Sequence, residues 1–258
     1  MALLAAALGG GGAARANMRE ARIEPQPPSS AARPLAGAGD LLAVLDEALT
    51  FRCAATTCDV EARYRIQARA AVTAELAFVS PQPAPLTVRI GGATSTPVVV
   101  GSAAEPVAQD ELQSETSMLE LRHLAAVQVK FTAAFTAGEN LISVGYRQPL
   151  GRREYDPGYF SKGRFVDFFR YELWPLSEWK HAPGFHIDGE VVIHRPAPSW
   201  LRRMFSTPRS VGCRGTEHLP NSTLQQQGTD LRLTFRLTDP IPRRLWCQIG
   251  DEDLVSRR

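Results

Sequence analysis

Along most of the chain, hydrophobic and polar residues alternate with a period of two. In VEARYRI, Val60, Ala62, Tyr64 and Ile66 share one face, opposite Glu61, Arg63 and Arg65. VTAELAF groups Val72, Ala74, Leu76 and Phe78, and LTVRI groups Leu86, Val88 and Ile90. VQVKFTAAF sets Val127, Val129, Phe131, Ala133 and Phe135 against Gln128, Lys130 and Thr132, and ISVGY adds Ile142, Val144 and Tyr146. Near the C-terminus, LRLTFRLTD opposes Leu231, Leu233, Phe235 and Leu237 to Arg232, Thr234, Arg236 and Thr238. Each run predicts a half-buried strand with one wet face. Turn chemistry separates the runs at Ser80-Pro81-Gln82-Pro83, Gly91-Gly92, Ala137-Gly138-Glu139-Asn140, Asp156-Pro157-Gly158 and Asp188-Gly189.

Many short strands joined by Gly/Pro turns predict an all-β fold: an antiparallel β-sandwich of immunoglobulin-like architecture. A boundary near 149 divides the chain into two sandwich-like lobes, 41–148 and 149–250, with one continuous domain as the alternative. Two short helices are expected, within 109–124 and in SWLRRMF, where Ser199 is the candidate N-cap. Residues 17–40 are rich in Pro, Ala, Gly and Ser and read as an extended leader with one short strand at 21–23. Residues 251–258 read as a charged tail. In FFRYELWPLSEW, alternation puts Phe169, Tyr171 and Leu173 on an apolar face, with Phe168, Arg170, Glu172 and Trp174 opposite. Pro175 ends that strand.

The N-terminus changes the picture from fold to location. MALLAAALGGGGAARANM has an apolar run, then Ala14-Arg15-Ala16, an A-x-A cleavage pattern that makes Asn17 the first mature residue. No basic residue precedes the run, a defect that a start codon placed too far downstream explains. The reading is a signal peptide over 1–16 and a secreted or periplasmic protein, against a bland Ala/Gly-rich tail. No later stretch approaches the ~18 apolar residues of a transmembrane span. The four cysteines agree with export: Cys53, Cys58, Cys213 and Cys247 allow three connectivities. A bridge across the turn between Cys53 and Cys58 is geometrically natural and leaves Cys213 with Cys247. Four separate thiols, or a zinc site, are the alternatives.

Composition then removes whole classes of partner. A net charge of +2 and a pI near 8.4, without any lysine cluster, exclude the concentrated basic face of a nucleic-acid binder. No G-x-S-x-G, H-E-x-x-H, P-loop or G-x-G-x-x-G is present, and no cofactor is implied.

LDEALTF, VEARYRI and AELAFVSPQPAPLTVRI are followed by VKFTAAFTAGENLISVGYRQP, FFRYELWPLSEW and FHIDGEVVIHRP. Over roughly 41–196 this order resembles an exported bacterial β-sandwich domain family of unknown function. That family pairs a strand, Phe-Pro turn, strand unit with a GE…V.Y strand and a Y.L.P…W…I…V.I..P unit. Here the Phe-Pro turn is Phe78-Val79-Ser80-Pro81, a departure from the pattern. The resemblance implies an exported sandwich with a binding or surface-structural role, and carries no catalytic residues.

Chemistry is concentrated in two places. In KHAPGFHIDGEVVIH, a continuous strand would put His186, Asp188, Glu190 and His194 on one face, the pattern of a metal-dependent or acid/base hydrolase. Asp188-Gly189, a hairpin or bulge signal, opposes that reading, and outward polar residues on an antiparallel strand are its plain alternative. The loop GRREYDPGYFSKGRF interleaves Arg152, Arg153, Tyr155, Tyr159, Phe160, Lys162 and Arg164. Arginine beside aromatic residues suits a protein or glycan ligand, against a long connection whose aromatics fold back on the sandwich edge. Phe168 and Trp174 are further binding candidates, with packing as their alternative. A binding module is therefore the leading reading, and the hydrolase is the alternative. A structural piece of an envelope assembly is the third, and it predicts an exposed apolar patch or an unpaired strand edge.

Overall fold

The computed structural model describes residues 23–24, 29–35, 40–81, 85–102, 126–155, 164–194, 207–215, 219 and 221–255. Both short helices expected from sequence, Tyr159, Phe160 and the proposed signal peptide lie outside them. The elements follow the alternation. β1 (Ile23–Glu24) and β2 (Arg33–Pro34) precede three long strands, β3 (Leu42–Cys53), β4 (Thr57–Ala68) and β5 (Val72–Pro81). Short strands β6 (Thr87–Ile90), β7 (Ala93–Ser95) and β8 (Val98–Ser102) come next, then β9 (Ala126–Phe135) and β10 (Gly138–Pro149). After β11 (Gly151–Glu154) and β12 (Phe165–Glu172), a 3-10 turn at Trp174–Glu178 leads into β13 (Lys180–Ile193). The remainder is β14 (Arg209–Arg214), β15 (Ser222–Gln227), β16 (Asp230–Thr238), β17 (Arg244–Asp251) and a single helical turn, α1 (Glu252–Val255).

These strands make three sheets. The eight-stranded central sheet has the order β15-β16-β13-β3-β4-β10-β6-β7. A five-stranded sheet runs β1-β11-β12-β17-β14, and a four-stranded sheet runs β2-β5-β9-β8. Pairing between strands is antiparallel except where β13 lies parallel to β3. That pair joins strands from either side of residue 149 in one sheet.

Both smaller sheets cover the same inward face of the central sheet. Phe51 of β3 packs on Phe169 of β12 with ring centroids 4.5 Å apart, and edge-on to Tyr171 at 5.7 Å. Phe78 of β5 stacks on Tyr146 of β10 at 6.2 Å. The expected apolar face Phe169, Tyr171 and Leu173 is wholly buried. The opposite face of the central sheet is an array of ion pairs between neighbouring strands. Arg65 reaches Asp46 at 2.7 Å, Arg147 reaches Asp59 at 2.7 Å, and Arg236 grips Asp188 with two bonds. Both disulfides bridge residues that sit directly opposite in an antiparallel pair, Cys53 with Cys58 and Cys213 with Cys247.

Within the Pro-rich leader, residues 29–35 form a strap between the two smaller sheets, buried over 29–32. Ser30 N–H donates to Val79 O at 3.1 Å and Leu35 N–H to Glu75 O at 2.8 Å, which ties the strap to β5. On the other side, Ala31 N–H donates to Glu172 O at 2.9 Å and Glu172 N–H to Ser29 O at 3.0 Å. Low polarity at Ser29-Ser30-Ala31-Ala32 suits this path: small side chains let the backbone pass between packed sheets.

The turn expected at Asp188-Gly189 is absent; β13 runs straight through it. Gly189 faces Phe235 on β16, and a Cβ there would lie 2.0 Å from the Phe235 ring. The glycine therefore serves close approach of an aromatic ring across the strand pair, not a reversal. Replacing Gly189 with Ala should displace that ring and destabilise the fold by about 1–3 kcal/mol in urea unfolding. The cost should shrink in a Phe235→Leu background, and a double-mutant cycle measures the difference.

Candidate functional site

Because β13 is continuous, His186, Asp188 and Glu190 do share its outer face, and His194 follows directly after its last residue. Alternate residues along a strand are nearly 7 Å apart, so the row extends over about 25 Å from end to end. Each member is engaged locally. Arg236 holds Asp188 at 2.6 and 2.8 Å and keeps its carboxyl below the ordinary range, while His186 Nε2 lies 3.4 Å from the same carboxyl. Glu190 pairs with Arg232, and His194 Nδ1 lies 2.9 Å from Asp230. Asp188, Glu190 and His194 are held at separate levels by Arg236, Arg232 and Asp230 of β16, His186 turns to Asp188 on its own strand, and the four do not meet at a point. No cluster of three or more His, Cys, Asp or Glu is placed to hold a metal ion among the described residues.

The described residues among those picked out as ligand contacts are also engaged within the fold. Arg152 pairs with the buried Asp167 at 2.6 Å, and its guanidinium lies 5.6 Å from the Phe165 ring. Arg153 sits opposite Ile23 in the β1–β11 pair. Tyr155 N–H donates to Arg164 O at 2.7 Å, while the Arg164 side chain bonds Asp251 and Asp253. Phe168 is buried and stacks on Trp246 at 4.9 Å, with Arg170 5.4 Å from the same indole. Trp174 is half-buried beneath Arg33, whose guanidinium lies 5.6 Å from its ring and also bonds Glu178 at 3.2 Å. A shallow open depression of about 200 Å³ lies on the outer face, lined by Glu61, Arg63, Arg89, Gly92, Leu141 and Ser143.

The most unusual chemistry is inside. Glu47 on β3 is 0% exposed. A bulge between Val44 and Asp46 inserts Leu45 and shifts the phase of the strand. Asp46 consequently turns outward to Arg65, and Glu47 falls in register with Leu49 and Phe51 in the core. Three tyrosines from three strands surround it: Tyr64 of β4, Tyr171 of β12 and Tyr146 of β10. Tyr171 donates its hydroxyl to Glu47 Oε1 at 3.4 Å, and the Tyr64 and Tyr171 hydroxyls are 3.4 Å apart. Glu47 Oε2 has no partner.

The knot continues into the strap. Ala32 N–H donates to the Tyr64 hydroxyl at 3.0 Å, and the Trp179 indole N–H donates to Ala32 O at 2.9 Å. Ser29 Oγ donates to Gln148 Oε1 at 3.1 Å, and Gln148 donates to Arg170 O at 2.9 Å. Burial pushes the Glu47 carboxyl up to about 7, against the smaller opposing pull of the Tyr64 and Tyr171 hydroxyls. Burial likewise pushes all three tyrosine hydroxyls up. Sequence reading passed over this cluster, although LDEALTF carries a trace of it: Glu47, Leu49 and Phe51 alternate in one phase.

No family model and no curated protein matches the chain. Among solved structures, it is similar to a candidate nutrient-binding protein of Legionella pneumophila at 12% identity and a TM-score of 0.49. That match covers 87% of this chain and 72% of the other. An M1 zinc metallopeptidase of Deinococcus radiodurans shares 12% identity at a TM-score of 0.41, over 81% of this chain and 42% of the peptidase. Yeast LTA4 hydrolase shares 12% identity at a TM-score of 0.41, over 82% of this chain and 29% of the hydrolase. The chain thus spans less than half the length of either of these two proteins. At these identities and TM-scores, none of their activities transfers to it.

The raised carboxyl has a direct consequence for stability. Folded Glu47 keeps its proton up to about pH 7, whereas an unfolded carboxyl loses it near 4.5. Its contribution is therefore complete below pH 4.5 and is lost as pH rises through 7. The loss amounts to about 3 kcal/mol by linkage. Glu47→Gln should flatten the stability profile over this window and leave the variant more stable than the native protein at pH 8, as measured by urea unfolding.

Proposed function

We propose that the chain is an exported β-sandwich protein that works by binding, taking an extended segment of a partner protein along the edge of β8. The observation that carries this reading is the exposure of three consecutive valines on that edge: Val98 at 61%, Val99 at 50% and Val100 at 49%. Among the described strands β8 pairs with β9 alone, so its other edge offers backbone N–H and C=O groups for strand addition. Residues 93–102 contain no charged side chain, which favours an apolar, neutral partner segment. An exposed apolar strand edge is also the feature expected of a surface or envelope module. By contrast, the charges at 186–194 are matched locally along β13 and β16, Asp188 by both Arg236 and His186, and the four residues do not gather at one site.

Export draws its support from the cysteines. All four are joined in two bridges, which persist in an oxidising compartment. No helix among the described residues is long and apolar enough to cross a membrane.

Non-reducing mass mapping of protein recovered from its native compartment should return the Cys53–Cys58 and Cys213–Cys247 pairs; free thiols there would overturn the export reading. For the edge, a Val98→Lys, Val100→Lys variant should unfold at the native temperature to within about 2 °C, because both side chains are exposed. Native protein in gentle extracts should run in an assembly heavier than its own 28.2 kDa, and the double variant should run alone. Identical behaviour of the two proteins counts against docking on β8. A native assembly that a glycan competitor dissolves while the double variant still joins it assigns binding to sugar instead.

A further inference from the structure

We propose that Glu47 is a proton-controlled latch for the N-terminal strap: when its carboxyl ionises, residues 29–35 release the two smaller sheets that they join. The geometry has three parts. First, the carboxyl is sealed among groups that provide no positive charge. β4 contributes Tyr64, β12 contributes Tyr171, and β10 contributes Tyr146 and Gln148. β13 places Ile187 beside it in register, and the strap supplies Ser29 and Ala32 to the same knot. Tyr64, Tyr171 and Tyr146 are the titratable groups of this set, and all three stay neutral wherever the carboxyl changes charge.

Second, the available hydrogens suit a neutral acid better than a carboxylate. Tyr171 donates to Oε1, and the Tyr64 hydroxyl, which accepts from Ala32 N–H, has one hydrogen to divide between the Tyr171 hydroxyl and Glu47. Oε2 receives no donor. A protonated carboxyl needs fewer donors and has an O–H to give. A carboxylate leaves a buried, charged oxygen unsatisfied, which costs several kcal/mol unless water reaches it.

Third, the covering elements differ in how firmly they are held. β3, β4, β10 and β13 sit in long ladders inside the central sheet. The strap is short, contains the two-residue strand β2, and is attached by individual bonds to β5, to Arg170 and Glu172 of β12, and to Tyr64, Gln148, Trp179 and Glu178. Local opening begins where the fewest bonds must break. The strap is also bonded directly to the tyrosine that the new charge would recruit as a donor. Ionisation of Glu47 thus acts on the least secured element in contact with its cluster. Closed in mild acid and open above neutrality, the strap couples proton concentration to the seam between the two smaller sheets.

Hydrogen exchange read by mass spectrometry on the full chain, between pH 5.5 and 8.5 and corrected for intrinsic exchange, tests this. Peptides covering 29–35 should lose about tenfold in protection relative to β3 and β4 peptides for each pH unit from 5.5 to 7, and level off above it. In Glu47→Gln that relative protection should stay flat. The same loss in Glu47→Gln, or a flat profile in the native protein, overturns the proposal. Should Glu47→Gln fail to fold, Tyr171→Phe serves: removing the hydroxyl that donates to Glu47 should move the midpoint of strap release to higher pH. An unmoved midpoint in that variant is equally fatal.

Discussion

The parallel pairing of β13 with β3 is the constraint from which the rest of the architecture follows. It merges the β3-β4-β10 group with the β15-β16-β13 group into one sheet. That sheet supplies a single inward face wide enough for two smaller sheets to share, and Phe51, Phe78 and Tyr146 are the points where they dock. Everything polar is then sorted by side. Outward charges neutralise each other strand by strand, while the few inward polar groups are drawn to the line where the two small sheets and the strap converge. A parallel pair cannot close through a tight turn, so this seam unites segments far apart in the chain.

The strap gives the Pro/Ala/Ser-rich leader a physical role. Its backbone is bonded to β5 on one side and to the end of β12 on the other, so it acts as a splice between sheets that do not pair with each other. Because Ala32 and Ser29 also bond to Tyr64 and Gln148, the splice is chemically continuous with the buried carboxyl. Packing and protonation are therefore linked at one location, and the exposed edge of β8 belongs to the same four-stranded sheet that the strap secures through β2 and β5.

Much of this was legible in the residues. The alternation in VEARYRI, VQVKFTAAF and LRLTFRLTD marks β4, β9 and β16 because each strand has one wet face, and period two is then a direct imprint of burial. The cysteine pairs were legible for a similar reason: a short turn forces Cys53 toward Cys58, and elimination leaves the other two. What failed to show was anything decided by a partner strand. Asp188-Gly189 has the chemistry of a turn, and only Phe235, far away in sequence, turns its missing side chain into room for a ring. Arg152, Phe168 and Trp174 have the chemistry of a binding surface, yet Asp167, Trp246 and Arg33 engage them within the fold. Glu47 escaped because a bulge is a property of the pairing and leaves no reliable mark on one strand alone.

Beside that bulge, adjacent carboxylates have opposite fates. Asp46 and Glu47 differ by one methylene, and neither chemistry nor size assigns one to water and the other to the core; their pairing does so, and the spare residue Leu45 takes up the change in parity of the pleat. The information is held in the register of the strand pair and not in the identity of any side chain. Point changes at 45 leave the parity intact, and loss of that one residue would leave a regular ladder in which Val44, Asp46 and Glu47 still meet Ile66, Arg65 and Tyr64 in turn. At this site the frame that assigns the two carboxylates is the pairing with β4, where Arg65 meets Asp46 and Tyr64 meets Glu47.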